Sequence, residues 1–348
     1  MIYGEKVLES IVKDLFDTKI IKDDDILVVA LSGGMDSMCL LDAFYKLQSE
    51  INYKLIALHV HHGIRGEEAD RDLNFVTKYC ESLDIELITE KVDAVSFAKK
   101  NNLTLEEGAR KLRYDIFDKA WKNLSIKHKK NDVYILVAHH EKDQVETIIH
   151  NIARGTGIKG LAGMKKKSGY ILRPLLDIKK EEIEEYIDKY DIPYVDDSTN
   201  DDINYTRNFI RKEVVSKLEQ VNAKASDHII ELSKMSCEIN DYIEKESKKA
   251  YKSVVLDAND KSICIDLKKF RLKDRIIRIG IIREAFNHLI STLKDITKIN
   301  IDDIIALSEK EKGGHLDLPY NITVDKKQGN LKFIKNEKNV SMGRRKKK

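Results

Sequence analysis

Ile26-Leu27-Val28-Val29-Ala30-Leu31-Ser32-Gly33-Gly34-Met35-Asp36-Ser37 decides the architecture of the first half of this 348-residue chain. Six apolar residues make a strand short enough to be buried on both faces. Two glycines follow, and then residues 37–48 carry helical apolar spacing. A strand, a glycine turn and a helix leave free backbone amides and the positive end of a helix dipole facing outward, an arrangement suited to phosphate or pyrophosphate. Ser32 and Ser37 add hydroxyl donors, and Asp36 can hold a magnesium ion or orient a leaving group. The string has neither the Gly-Lys-Ser/Thr ending of a Walker A loop nor a GxGxxG fingerprint. Taken alone, its glycine pair would also suit an ordinary β-to-α turn.

Outward from this stretch, short apolar runs at 26–31, 55–60, 85–92, 134–139 and 171–175 read as strands. Segments 37–48, 67–83, 105–123, 143–153 and 179–190 read as amphipathic helices between them. Such alternation predicts an α/β fold with a doubly wound, mainly parallel sheet of Rossmann-like type, its ligands at the carboxyl ends of the strands. After Pro193 the polar run Asp196-Asp197-Ser198-Thr199-Asn200-Asp201-Asp202 begins a junction, and the next hundred residues read mostly as helices. Short runs at 315–318, 322–326 and 331–334, punctuated by Gly313-Gly314 and Pro319, predict a small terminal β element. The expected division is a catalytic domain over 1–215, a mainly helical domain over 216–338 and a basic tail over 339–348. Within the second domain, Ile276, Ile277, Ile279 and Ile281 are read as core.

Residues 211–348 carry 31 Lys+Arg against 21 Asp+Glu, net +10, whereas residues 1–210 carry 31 against 38. A basic half beside an acidic one is the footprint expected of a polyanion-binding module joined to a catalytic one. Cys39, Cys80, Cys237 and Cys264 form no CxxC pair, which argues against a zinc ribbon, an iron–sulfur site or a disulfide framework. The longest early apolar run is far below the roughly 20 residues of a membrane span, so a cytoplasmic location is expected.

Two histidine clusters complete the chemistry. His59-Val60-His61-His62-Gly63-Ile64-Arg65 ends the second strand, and Ala138-His139-His140-Glu141-Lys142-Asp143-Gln144-Val145-Glu146-Thr147 ends the fourth and opens a helix. Both belong at the rim of the phosphate loop, where His and Asp can stabilise charge, relay a proton or hold Mg²⁺ beside ATP. A metallohydrolase using His59, His61, His139, His140 and Asp143 would be the competing reading, but it leaves the glycine loop unexplained.

Ser32-Gly33-Gly34-Met35-Asp36-Ser37 resembles the PP-loop signature of enzymes that cleave ATP to AMP and pyrophosphate. Further stretches are similar, in order, to the tRNA(Ile)-lysidine synthetase family: Leu105-Glu106-Glu107-Gly108-Ala109-Arg110-Lys111-Leu112-Arg113-Tyr114, Arg154-Gly155-Thr156-Gly157-Ile158-Lys159-Gly160-Leu161-Ala162-Gly163-Met164, Arg173-Pro174-Leu175-Leu176, and Asp196-Asp197-Ser198-Thr199-Asn200 leading to Arg207-Asn208-Phe209-Ile210-Arg211. The chain resembles the shorter form of that family, with one added domain.

The resemblance implies a ligase that adenylates the C2 oxygen of the wobble cytidine in a CAU-anticodon isoleucine tRNA and lets the ε-amine of free L-lysine displace AMP. Its partners would be that tRNA, lysine, ATP and Mg²⁺, and the family suggests a homodimer. Carried over by motif, Ser32, Gly33, Gly34, Met35, Asp36 and Ser37, with His59 and Arg65, would bind ATP. Asp36, Arg113, His139 and Asp143 would be catalytic, with Arg110 behind Arg113, and Asp36 and Asp143 would hold the metal. Arg110, Glu146, Arg154, Gly155, Arg207 and Arg211 would contact lysine or tRNA. A PP-loop thiolase, an amide-forming PP-loop ligase and a non-catalytic RNA-binding protein on this fold are the alternatives; the thiolase ordinarily brings CxxC pairs or a catalytic cysteine.

Overall fold

The computed structural model of the chain describes residues 6–64, 66–196, 206–290 and 295–337. Candidate Arg65, residues 197–202 of the polar junction and the expected basic tail 339–348 therefore lie outside the described residues. The chain divides into two compact units, Met1–Met235 and Ser236–Lys348. That boundary falls 20 residues beyond the one expected from sequence, inside a helix running from Ala225 to Val254.

In the first unit the elements run α1 (Lys6–Ile11), β1 (Ile26–Ala30), α2 (Met35–Leu47), β2 (Lys54–His61), α3 (Glu67–Ser82), β3 (Glu86–Lys91), α4 (Ala94–Lys100), α5 (Leu105–Lys127), β4 (Val133–Leu136), α6 (Glu141–Ala153), α7 (Ile158–Leu161), β5 (Lys167–Ser168), β6 (Ile171–Leu172) and α8 (Lys180–Tyr190). The strand order is β3-β2-β1-β4-β6-β5, parallel except for the β5–β6 pair. β1 is central and apolar throughout because both its faces are covered. Leu27 and Val29 pack with Leu41, Phe44 and Tyr186 on one side, while Ile26 and Val28 pack with Ile116 and Phe117 of α5 on the other. That alternation is the doubly wound arrangement.

β2 lies on one side of β1 and β4 on the other, so the winding reverses between β1 and β4. A crevice at the carboxyl ends of these two strands is where an open α/β sheet takes its ligand. The glycine loop leaves β1 there, and the second histidine cluster leaves β4.

Beyond the junction the chain forms α9 (Thr206–Phe209), a π-helical stretch (Ile210–Val215) and α10 (Ser216–Val221). The long helix Ala225–Val254 is α11. The second unit comprises the end of α11 with β7 (Val255–Asn259), β8 (Ser262–Asp266), α12 (Leu267–Arg271), α13 (Arg275–Ile290), α14 (Lys298–Glu309), β9 (Gly314–Leu318), β10 (Ile322–Lys327) and β11 (Asn330–Lys335). Its sheet is antiparallel, ordered β7-β8-β11-β10-β9. The terminal β element is thus larger than expected, because the β7–β8 hairpin joins it from the segment read as helical. Ser262-Ile263-Cys264-Ile265-Asp266 alternates with period two, and both isoleucines are fully buried.

Helix α13 buries Ile281, while Ile277 and Ile279 are partly buried and Ile276 is 45% exposed. Four isoleucines within six residues span too wide an arc of a helix for all to face one core, which corrects the reading of Ile276. Among the described residues, no helix is long and apolar enough to cross a membrane.

Candidate active site

The loop between β1 and α2 is built for close approach of a ligand to backbone. Gly33 has φ +94°, a conformation L side chains rarely adopt, and a Cβ there would press on Val76 at 3.3 Å. Its carbonyl accepts the Val195 amide at 2.9 Å, which ties the turn to the chain beyond α8. Ser37 Oγ donates to the Gly34 carbonyl at 2.9 Å and accepts the Ser32 amide at 3.2 Å. Ser32 Oγ lies 3.0 Å from Ser37 Oγ and accepts the Gly34 amide at 3.3 Å. The residue capping the start of α2 is Gly34, which has no side chain to satisfy the first amides. These amides and the dipole end behind them form an anion seat.

Asp36 stands at the rim of that seat. Its Oδ1 pairs with Lys180 Nζ at 2.5 Å, and its Oδ2 lies 3.7 Å from His140 Nε2. His140 caps α6: its Nδ1 accepts the Lys142 amide at 3.2 Å, and its own amide donates to Asp143 Oδ2 at 3.0 Å. Because Nδ1 accepts, a neutral His140 carries its proton on Nε2, 3.7 Å from both Asp36 Oδ2 and Asp143 Oδ2. The imidazole thus stands between two carboxylates, one on the phosphate loop and one on α6.

His139 and Asp143 form the buried part. Burial pushes the His139 imidazole down to about 3 against the pull of Asp143, and Arg173, Arg207 and Arg110 lower it further. Burial favours the neutral form of Asp143, but His140, His139 and the His140 amide outweigh it and hold the carboxyl below its usual range. Glu146, one turn along α6 and 3% exposed, goes the other way: burial raises it despite Arg211 Nε at 2.5 Å from Oε1. His139 Nδ1, Glu146 Oε2 and Arg173 Nε are buried with no hydrogen-bond partner among the described residues. Unpaired buried polar atoms are costly, and three of them at one rim mark a place for a polar ligand.

The other sequence candidates are distributed unevenly. Arg110 is half-buried, its guanidinium 5.0 Å from the Tyr114 ring centre and within electrostatic reach of His139; Arg113 is exposed on the same helix. Arg207 lies 3.7 Å from Glu106, and Arg211 sits in the π-helical stretch. Arg154 ends α6 at the surface beside Glu107, and Gly155 takes φ +78° with open space around it. His59 is turned away from such a role at one nitrogen, since its Nδ1 donates to the Leu31 carbonyl at 2.9 Å. His61 Nε2 is 3.1 Å from Asp70. The two clusters are therefore not brought into one ligand set, and no group of three or more His, Cys, Asp or Glu among the described residues is placed to hold a metal ion.

Sequence reasoning missed Lys180 and did not single out Arg173. The Arg173-Pro174-Leu175-Leu176 string was a signal for the second; nothing local marks the first.

The depressed His139 sets a sign for stability against pH. It binds its proton more weakly in the folded chain than in the unfolded one, so the unfolded state takes up protons first as pH falls. This contribution to stability is lost below about 6.5 and levels off near 3. Glu146 has the opposite sign, so the difference between wild type and His139→Gln isolates the histidine. In urea titrations the stability of wild type relative to His139→Gln should fall from pH 7 to pH 5; a constant difference would mean that His139 is not held neutral.

The PP-loop domain family matches residues 5–218. The chain is 34% identical over 340 residues to the tRNA(Ile)-lysidine synthase of Clostridioides difficile (strain 630), covering 97% of this chain and 71% of that protein. It is 34% identical over 331 residues to the protein of the same name from Caldanaerobacter subterraneus subsp. tengcongensis, covering 94% and 68%. Among solved structures it is similar to the U34-tRNA thiolase NcsA from Methanococcus maripaludis, with TM-score 0.54 and 19% identity over 67% of this chain and 79% of that one. At that identity the likeness is one of fold.

Proposed function

The chain belongs to the tRNA(Ile)-lysidine synthase family of PP-loop proteins, and we propose that it joins free L-lysine to C2 of the wobble cytidine in the CAU-anticodon isoleucine tRNA at the expense of ATP. The observation that carries the reading is the meeting, between β1 and β4, of an uncapped helix N-terminus with buried side chains whose polar atoms, His139 Nδ1, Glu146 Oε2 and Arg173 Nε, are unpaired.

The amides at the start of α2 and the hydroxyls of Ser32 and Ser37 hold the triphosphate. The C2 carbonyl oxygen of cytidine attacks the α-phosphorus and pyrophosphate leaves. The adenylated carbon then accepts the lysine ε-amine, and AMP departs. A carbonyl oxygen is a poor leaving group, so the first step is what permits the second.

Asp143, held ionised, and His139, held neutral, flank the reacting base. Arg110, Arg173 and Arg207 supply positive charge for the departing AMP phosphate. Glu146 offers a buried carboxylate to an ammonium group of lysine. Asp36 and Asp143 each place a carboxylate oxygen 3.7 Å from His140 Nε2, and these two carboxylates would hold a magnesium ion together with substrate phosphates. When bound, that ion would neutralise charge on the triphosphate.

The basic charge of residues 211–348 suits them to tRNA. A cytoplasmic location, where tRNA and free lysine meet, and a homodimer belong to the same reading.

The test is to incubate the protein with ATP, Mg²⁺, labelled lysine and a CAU-anticodon isoleucine tRNA transcript and to count label in precipitated RNA. Label in the RNA that depends on ATP is the expected result. ATP cleavage without label would replace lysine with another nucleophile.

A further inference from the structure

The glycine loop brings no cation of its own, unlike a Walker A loop, yet the leaving group of its reaction is pyrophosphate. A cation arrives from 144 residues away. Lys180, the first residue of α8, places Nζ 2.5 Å from Asp36 Oδ1, and its side chain is only 21% exposed.

The position is unfavourable for α8 itself. An ammonium in the first turn of a helix faces the positive end of the dipole, and the neighbouring Glu181 and Glu182 show the charge that the turn ordinarily holds. The helix gains nothing from a lysine there, so the reason for it lies across the contact.

That contact is held in register. Tyr186 Oη donates to Asp42 Oδ2 at 2.7 Å, and Lys46 Nζ pairs with the same carboxylate at 2.7 Å while lying 3.0 Å from the Tyr190 ring centre. These bonds join α8 to α2, the helix whose N-terminus is the anion seat. The arginines around His139 belong to the other end of the site, at the base and AMP.

We propose that Lys180 is a catalytic residue that receives the departing pyrophosphate. In the free site its ammonium pairs with Asp36. With ATP present it turns to the β-phosphate oxygens and leaves Asp36 to its other partners. As the cytidine oxygen bonds to the α-phosphorus, the bond from phosphorus to the α–β bridging oxygen breaks and its electron pair passes to that oxygen. Lys180 donates a hydrogen bond to the charge formed there, and no proton need be transferred. The inference rests on the ATP-cleaving function proposed above.

Its test is the affinity of the full chain for inorganic pyrophosphate, measured calorimetrically with AMP as control. Lys180→Ala should weaken pyrophosphate about 10- to 100-fold, the span of one charge-assisted hydrogen bond, and leave AMP unchanged. Lys180→Arg should restore most of the loss. The same weakening should appear when Lys180→Ala is added to Asp36→Asn. Pyrophosphate binding equal to wild type, joint loss of AMP and pyrophosphate with a lowered melting temperature, or no further loss in the Asp36→Asn background would each overturn the proposal. The last outcome would mean that Lys180 only masks Asp36. Pyrophosphate binding does not depend on lysine transfer, so a wild type that binds it through Lys180 but labels no RNA would overturn the proposed function alone.

Discussion

Asp36→Ala should lower ATP-dependent attachment of labelled lysine to the tRNA by about 100- to 1,000-fold, the range seen when one preorganised charge-stabilising group is removed from an active site. The side chain sits one residue into α2, at the rim of the uncapped amides, and faces both Lys180 and His140. Its loss removes the carboxylate proposed above to hold magnesium and leaves the Lys180 ammonium without its 2.5 Å partner. Structure should survive the change, because Asp36 is 31% exposed and makes no cap or core contact on which the fold relies. Unaltered melting alongside lost incorporation is therefore the expected pair of results. Incorporation near the wild-type rate would remove Asp36 from the machinery.

Glu146→Gln should separate the two half-reactions. The carboxylate is buried, one oxygen bonded to Arg211 and the other unpaired. Arg211 is 41% exposed, so it can turn to solvent when an ammonium takes its place. Removing one partner of such a buried charge pair costs about 2–4 kcal/mol, so KM for lysine should rise roughly 30- to 1,000-fold. Release of pyrophosphate at saturating ATP should change far less, because the adenylation chemistry lies toward the phosphate loop.

Stability should move in the opposite direction. Burial raises the Glu146 carboxyl, so its contribution is full below the unfolded pKa and is lost as pH rises through the folded one. A glutamine has no such loss, and the variant should be more stable than wild type at neutral pH and equal to it in acid. An unchanged KM for lysine would take Glu146 out of the lysine site.

The phosphate loop and the order of its flanking elements were legible because their signals are local. Apolar runs set the strands, and Gly33 occupies a turn whose φ of +94° only glycine adopts readily. The meeting of the loop with the His139–Asp143 cluster followed from β-α alternation alone. Less was legible where two local rules compete. The β7–β8 hairpin lay within a segment rich in helix formers, and its period-two pattern is only five residues long. Arg110 and Arg113 stand three apart on α5, and their periodicity is the same; the packing of α5 on the sheet left the first half-buried and the second exposed.

The residues by themselves determined the doubly wound sheet, the anion-binding turn and the rim on which both clusters stand, because strand burial, helix period and glycine conformation act over a few neighbouring positions. Tertiary structure alone decided which charges meet: His140 between Asp36 and Asp143, Arg211 on Glu146 and Lys180 on Asp36. Those pairs span up to 144 residues, and an ion pair depends on distance in space, which only the strand order and its crossovers establish.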